Sequence, residues 1–385
     1  MTQATTFAVH LHEYANRYFP DFRQAEVNVA LTGAWRRPRS TLYRFQLSAG
    51  GVQRFVLIKV PTSPGETGVQ VQDEGPSRRD RPRLASETDP TIKFRLEYVA
   101  FTTVHSYFQN LQDPRFGTIR ILDLLSKYGA IVMEEAKDPS LRQLFAKASF
   151  SLPPLKSSAT LEAAFRNAGA WLHAYHALHT HVQAETRHAR RADFIESITP
   201  FTDFLTDAVG DAMFFQQVAL TTTEQALDAL PETLPLGLGH GDFAMRNILV
   251  GPQGRVTLLD TLARWRTPIY EDVAYFLIAL KTTWPQVLSQ GLAFSASRLA
   301  HYEREFLSGY FGPEPVDFGV IRLFEIQALL DKWSATVARL ALSARGRLQC
   351  KLVNRYFRRS ADQLLRMLVV QRRPAESLQR ATAEN

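Results

Sequence analysis

Between Val27 and Val60 apolar and polar residues alternate with period two, and β-branched and aromatic side chains dominate. VNVALTG, STLYRFQLSA and VQRFVLIKV read as three strands, with Gly50-Gly51 as the hairpin turn between the last two. The connection from Gly33 to Ser40 is expected to be a loop that could lie over a nucleotide. It holds one glycine and three arginines, Arg36, Arg37 and Arg39, a weak match to a glycine-rich phosphate loop. Residues 61–90 have no period and are rich in Pro, Gly, Ser and charge, the composition of a flexible insertion. A helix is predicted after Asp89-Pro90, where KFRLEYVAFTTVHSYFQNL sets Phe94, Tyr98, Phe101, Val104, His105 and Phe108 near one stripe. GTIRILDLL and GAIVMEEA then read as strands. The second runs into Lys137-Asp-Pro-Ser140, a hinge, and the short amphipathic stretch LRQLFAKA follows.

From about Thr160 the period becomes helical. LEAAFRNAGAWLHAYHALHTH and the segments 194–230, 270–308 and 319–371 all read as helix, interrupted by the short strands ILVG and RVTLLD. Beyond Gln371 the tail RRPAESLQRATAEN is expected to fray. The pattern as a whole is α+β: a β-rich N-terminal domain over residues 1–135, then a mainly helical C-terminal domain over 136–385.

Length and composition agree with two domains, since 385 residues at 45% hydrophobic can bury a sizeable core. The N-terminus lacks a basic stretch followed by an apolar run, and nowhere do about 18 uncharged apolar residues run together. Cys350 is the single cysteine, which excludes an internal disulfide and a cysteine-based zinc cluster and fits a cytoplasmic location. The net charge of +7 is unevenly spread. Arg345, Arg347, Lys351, Arg355, Arg358, Arg359, Arg366, Arg372 and Arg373 crowd the C-terminal segment. A solvated helix face accounts for them better than a nucleic-acid footprint, and there is no zinc-finger, RNA-recognition or helix-turn-helix signature. Peripheral contact of this basic helix with an anionic membrane stays open. His173, His176 and His179 share a helical face, but no carboxylate or thiolate accompanies them, so core histidines are preferred to a metal site.

The chemistry is concentrated in GHGDFAMRNILVGPQGRVTLLD, Gly239 to Asp260. Gly241 lets the backbone turn sharply, and an aspartate held there, Asp242, can accept a proton from a hydroxyl nucleophile. Asn247 is placed to give an amide oxygen to Mg²⁺, which prefers hard oxygen ligands. Gly251-Pro-Gln-Gly254 closes a hairpin, and Val256 to Asp260 brings a second carboxylate back. One aspartate for proton transfer with an Asn and an Asp for metal is a minimum set for phosphoryl transfer from Mg-ATP. Lys59, in the apolar run FVLIKV, either snorkels at a strand end or points into a cleft. Glu97 is either a solvated flank residue or a partner for Lys59.

His-Gly-Asp-x-x-x-x-Asn followed by an apolar-apolar-Asp resembles the aminoglycoside phosphotransferase, or choline-kinase-like, branch of the protein-kinase-like superfamily, over about Val27 to Leu280. The resemblance implies a bilobal fold, with ATP and Mg²⁺ as cofactors. It further implies Asp242 as catalytic base, Asn247 and Asp260 as magnesium ligands, Lys59 on the α- and β-phosphates and Glu97 as its helix partner. Met133, Glu134 and Ala136 would form the adenine-facing hinge, His240 would help hold the catalytic loop, and Asp272 would brace it. Arg246 would neutralise the transferring phosphate or lie exposed. The sequence departs from the pattern in the long connection between Lys59 and Glu97 and in Thr-Leu after Asp260. The expected function is transfer of a γ-phosphate to a hydroxyl of a small molecule: a sugar, an amino alcohol, an aminoglycoside or a related saccharide. Asp193, Glu196, Asp203, Asp207 and Asp211 would be the acidic side chains offered to a polycation. The alternative is a pseudokinase, a nucleotide-binding or scaffold protein without transfer.

Overall fold

The computed structural model describes residues 2–22, 25–37, 40–61, 90–150, 159–178, 184–261, 263–340 and 344–383. They group into two compact units. One holds the described residues up to 61, those from 90 to 138, and 257–261; the other holds 139–256 and the residues from 263 onward. The segment carrying Asp260 therefore belongs with the N-terminal unit, although it lies far beyond residue 135. Most of the expected insertion lies outside the described residues.

The first unit begins with an element the alternation did not announce, helix α1 (Gln3–Tyr18). The Thr2 hydroxyl caps it, accepting from the Thr5 N–H at 3.3 Å. Phe7, Leu11, Ala15 and Tyr18 recur at helical spacing, and all four are buried. They cover one face of an antiparallel sheet built from β1 (Asn28–Arg37), β2 (Ser40–Ala49), β3 (Val52–Pro61), β5 (Ile121–Leu125) and β6 (Ala130–Glu134), ordered β1-β2-β3-β6-β5; β4 is the two-residue Phe116–Gly117. Phe45, Leu47, Val56, Ile58, Val60, Ala130 and Val132 supply the other side of this core. Each such large side chain contributes roughly 1.5–3 kcal/mol on full burial. Strand alternation then sends Leu57 and Lys59 to the opposite face. There Ile119, Ile131 and Met133 pack with Leu57, Tyr98 of α2 (Pro90–Leu111) and Leu259.

The expected loop from Gly33 to Ser40 is mostly strand. Gly33 pairs with Arg44, and the ladder continues to Arg37 opposite Ser40, with a bulge between Leu31 and Gly33. Cross-strand pairing carries β1 up to a two-residue connection, 38–39, which lies outside the described residues.

The second unit is mainly helical: α3 (Leu141–Phe150), α4 (Ala159–Ala177), α5 (Arg191–Val209), α6 (Ala212–Ala229), α7 (Ile269–Lys281), α8 (Trp284–Leu288), α9 (Ala296–Phe311), α10 (Phe318–Leu340) and α11 (Ala344–Ala383). Phe194, Phe201, Leu205, Phe215, Phe324, Trp333, Phe357 and Leu364 belong to its principal core. A small sheet, β7 (Glu185–Thr186), β11 (Trp265–Pro268) and β8 (Leu236–Gly239), was not predicted; each strand is too short to show a period. The strands β9 (Ile248–Val250) and β10 (Val256–Leu258) fall where expected.

Inside this unit Lys281 lies 2.8 Å from Glu303 and 2.6 Å from Glu325, and Arg322 pairs with both carboxylates. Glu325 is fully buried, so the alternating ring is what makes its charge tolerable there. The C-terminal tail does not fray at Gln371: the α11 backbone stays helical through Ala383. The helix continues through Pro374, and elongating an existing helix costs little compared with nucleating one. Cys350 is half-buried and burial pushes its thiol pKa up, as suits an unreactive side chain.

Candidate active site

In the second unit β8 delivers the chain to His240. Gly241 then turns with φ of +74°, in the left-handed region where a side chain is strained. The turn is clamped from below by Asp272, in the first turn of α7. Asp272 Oδ2 accepts the His240 N–H at 2.6 Å, and Oδ1 accepts the Gly241 N–H at 2.8 Å. His176 Nε2 lies 3.3 Å from the same carboxylate, and His176 Nδ1 lies 2.6 Å from the Tyr310 hydroxyl. A carboxylate only accepts, so Nε2 carries the His176 proton and Nδ1 accepts from Tyr310. Burial pushes the Asp272 pKa up, but His176 and the backbone donors outweigh it and hold the group below the ordinary carboxylate value.

The Asp242 N–H donates to His240 Nδ1 at 3.3 Å. His240 itself is buried among Trp171, Tyr175 and Phe243, with ring centroids 6.4, 5.7 and 5.6 Å away. Its ring is thus engaged with the loop and with its aromatic surroundings. Asn247 Nδ2 donates twice to Asp242, to the backbone oxygen at 2.9 Å and to Oδ2 at 3.0 Å. Arg246 pairs with Oδ1, and the Tyr275 hydroxyl donates to the same oxygen at 3.0 Å. Burial alone would lower the Arg246 pKa; the Asp242 charge reverses this and raises it. Burial, reinforced by Asp242, raises the Tyr275 pKa, so the phenol keeps its proton. Sequence reasoning missed Tyr275; its signal was a hydroxyl three residues after Asp272 on one helix.

The hairpin after Asn247 is seated on α4. The Gly254 carbonyl accepts from Asn167 Nδ2 at 2.9 Å, and a Cβ added at Gly254 would stand 2.8 Å from Ala163 Cβ and the Ala164 nitrogen. Of the three helix histidines, His176 braces the loop, His173 is exposed beside Tyr310, and His179 lies outside the described residues. Among the described residues no group of three or more His, Cys, Asp or Glu is placed to hold a metal.

The first unit brings Lys59, Glu97 and Asp260 together. Lys59 Nζ lies 3.2 and 3.1 Å from the two Glu97 carboxylate oxygens and 2.8 Å from Asp260 Oδ1. Lys59 and Glu97 are 38 positions apart, yet the sheet register and α2 close that gap. Burial would lower the lysine pKa, and the two carboxylates overcome it, so the ammonium is held above its ordinary value. Asp260 sits at φ of +57°, an uncommon conformation for a residue other than glycine.

At the hinge the Glu134 N–H donates to Arg120 O and the Glu135 N–H to Phe55 O, both at 2.9 Å. Arg44 forks onto Glu135 at 2.7 and 2.8 Å. Met133 is buried in the strand core. The Glu134 N–H is therefore spent on the sheet, whereas the Ala136 N–H has no hydrogen-bond partner among the described residues.

The tethered Asp242 and its neighbour Asn247 belong to a chain whose family is shown by its sequence. It belongs to the Phosphotransferase enzyme family, whose sequence profile matches residues 122–316. No curated protein matches the chain by sequence comparison. Among solved structures it is similar to a spectinomycin phosphotransferase in complex with ADP and spectinomycin, at 12% identity and TM-score 0.46, covering 92% of this chain and 98% of that one. It is similar to a choline kinase from Streptococcus pneumoniae at 16% identity and TM-score 0.45, covering 93% and 99%. A Plasmodium vivax ethanolamine kinase gives 12% identity and TM-score 0.47, covering 94% and 88%. Among the described residues no helix is long and apolar enough to cross a membrane.

Proposed function

We propose that this phosphotransferase is a small-molecule kinase that moves the γ-phosphoryl group of ATP to a hydroxyl. The observation that carries the reading is the tethering of Asp242: its N–H is held by His240, its carbonyl by Asn247, and the two preceding N–H groups by Asp272. An aspartate fixed in this way is a general base positioned in advance, which is what transfer between bound reactants requires.

In this reading Asp242 takes the hydroxyl proton, and Lys59, oriented by Glu97, binds the α- and β-phosphates. The Ala136 N–H is the hinge donor for adenine. Asn247 fits a magnesium ligand because its Nδ2 makes both side-chain hydrogen bonds to Asp242, which leaves the amide oxygen as the hard donor. Asp260 would be the second ligand. Bound magnesium would neutralise charge on the phosphates. The two protein ligands are few, as suits an ion that keeps waters and phosphate oxygens in its shell.

The test is ADP release from ATP over a panel of sugars, amino alcohols and aminoglycosides, with Mg²⁺ or with EDTA, for the native chain and Asp242→Asn. Turnover that needs Mg²⁺ and an acceptor and is lost in Asp242→Asn supports the kinase. Nucleotide binding with no turnover on any acceptor, unchanged by the substitution, would instead establish a binding or scaffold protein.

A further inference from the structure

The connection from α7 to α9, residues 282–295, carries no charged side chain, and no Asp or Glu occurs from Val273 to Tyr302. The buried Gln286 side chain braces this loop from within. Its Nε2 donates to the Gly291 carbonyl at 3.1 Å and to the Phe294 carbonyl at 3.2 Å, and its Oε1 accepts the Phe294 N–H at 2.8 Å. Phe294 is buried, while Leu292, between the two tethered residues, stands 88% exposed. Trp284 and Leu288, four positions apart on α8, are exposed as well. Apolar side chains held outward by a braced loop lose their contact with water only when another surface covers them.

Helix α11 is tied to the same loop. Gln290 Nε2 donates to the Leu352 carbonyl at 2.8 Å, and Arg359 Nη1 donates to the Gln290 carbonyl at 3.2 Å. Leu352 is itself exposed and adds a further apolar side chain. Lys351, Arg355 and Arg359, exposed and spaced by four, share one row of the helix beside it. Asp362, half-buried, is the one acidic residue from Ala344 to Val370. On the α8 side the Arg339 guanidinium lies over the Trp284 ring, 5.6 Å from its centroid. Exposed apolar side chains are thus joined to exposed positive ones.

We propose that loop 282–295 and the adjoining row of α11 form a membrane-docking surface whose partner is a bilayer rich in anionic lipid. Charge complementarity selects that partner. Basic side chains are drawn to the negative headgroup layer, and the apolar ones then bury at the boundary between headgroups and acyl chains. Either signal alone is marginal, and the two together hold a protein at the surface reversibly. A second copy of the chain, meeting this face with its own, would bring like charge against like. A nucleic acid would use the arginines but not the leucines, because bases stack on aromatic rings.

Flotation of the full chain with vesicles tests the surface, using phosphatidylcholine alone and phosphatidylcholine mixed equally with phosphatidylserine. Binding to the mixed vesicles is expected to exceed binding to phosphatidylcholine by about tenfold or more. Leu288→Ser combined with Leu292→Ser should weaken it about tenfold. Lys351→Gln combined with Arg355→Gln should weaken it similarly and flatten its salt dependence. Arg359 stays in place because it tethers the loop. All four positions are exposed, so the fold is expected to hold, and thermal unfolding checks that. Lipids with brominated acyl chains should quench the native fluorescence more than that of Trp284→Phe, which locates the contact at this loop. Equal binding to the two kinds of vesicle, binding to neither, or undiminished binding by the leucine double variant overturns the proposal. Self-association that the leucine substitutions abolish, in a chain that ignores vesicles, would assign the surface to a second copy instead. None of these outcomes depends on phosphoryl transfer.

Discussion

The Tyr275 hydroxyl donates to Asp242 Oδ1 at 3.0 Å, onto the same oxygen that Arg246 engages. Both residues therefore orient the carboxylate proposed as the base, one from helix α7 and the other from the loop itself. Asp242→Asn is expected to lower kcat by about a hundredfold to ten-thousandfold, the range for loss of a general base. Tyr275→Phe should cost about tenfold, since it removes an orienting donor worth about 1.4 kcal/mol. Steady-state kinetics for both variants, with nucleotide affinity measured alongside, checks the order. A Tyr275→Phe enzyme as inactive as Asp242→Asn would show that the tyrosine takes part in the chemistry itself.

Lys59 is held between Glu97 and Asp260. Glu97→Gln keeps the shape and removes one charge, and weakening of ADP binding by about tenfold is expected, with a larger loss for Lys59→Met. Titration calorimetry measures both. Equal affinity in all three proteins would remove Lys59 from the nucleotide site.

Asp272 supplies a pH dependence whose sign follows from its depressed pKa. Its contribution to stability is fully present above the ordinary carboxylate pKa of about 4 and is lost as pH falls through the lower folded value. Urea midpoints of the native chain should therefore drop on acidification below that range. Asp272→Asn should be less stable at neutral pH by about 3 kcal/mol, because an amide cannot accept all the donors that converge there. It should also lose part of the acid dependence. Parallel midpoint curves for the two proteins would contradict this.

Gly241 tests backbone strain apart from packing. A Cβ there would meet nothing within 4 Å, so Gly241→Ala pays only for its φ of +74°. That cost is about 1–2 kcal/mol, and Gly241→Asn should be milder because asparagine visits the left-handed region more readily. Thermal unfolding gives the stability order, and kcat should fall in the same order as the loop loosens. If alanine is as well tolerated as asparagine, the turn is not held at this angle.

Much of this protein was legible in its residues. The strands from Val27 to Val60 and the long helices of the second unit show clear periods, because each buries one face along many residues. The spacing of Asp242 and Asn247 could be read because one short loop carries both. Helix α1 carried a readable stripe, Phe7, Leu11, Ala15 and Tyr18, that the emphasis on strand alternation passed over. The sequence offered Glu97 as a possible partner for Lys59, but which of its two readings holds depends on how a strand and a distant helix share one sheet face. The same holds for the His176, Tyr310 and Asp272 brace and for Tyr275 on Asp242, which join residues far apart in the chain. Local pattern determines elements, because it reflects backbone geometry and one-sided burial. Only tertiary packing decides which polar groups meet in a low-dielectric interior, and there Asp242 gained three donors, from Arg246, Asn247 and Tyr275.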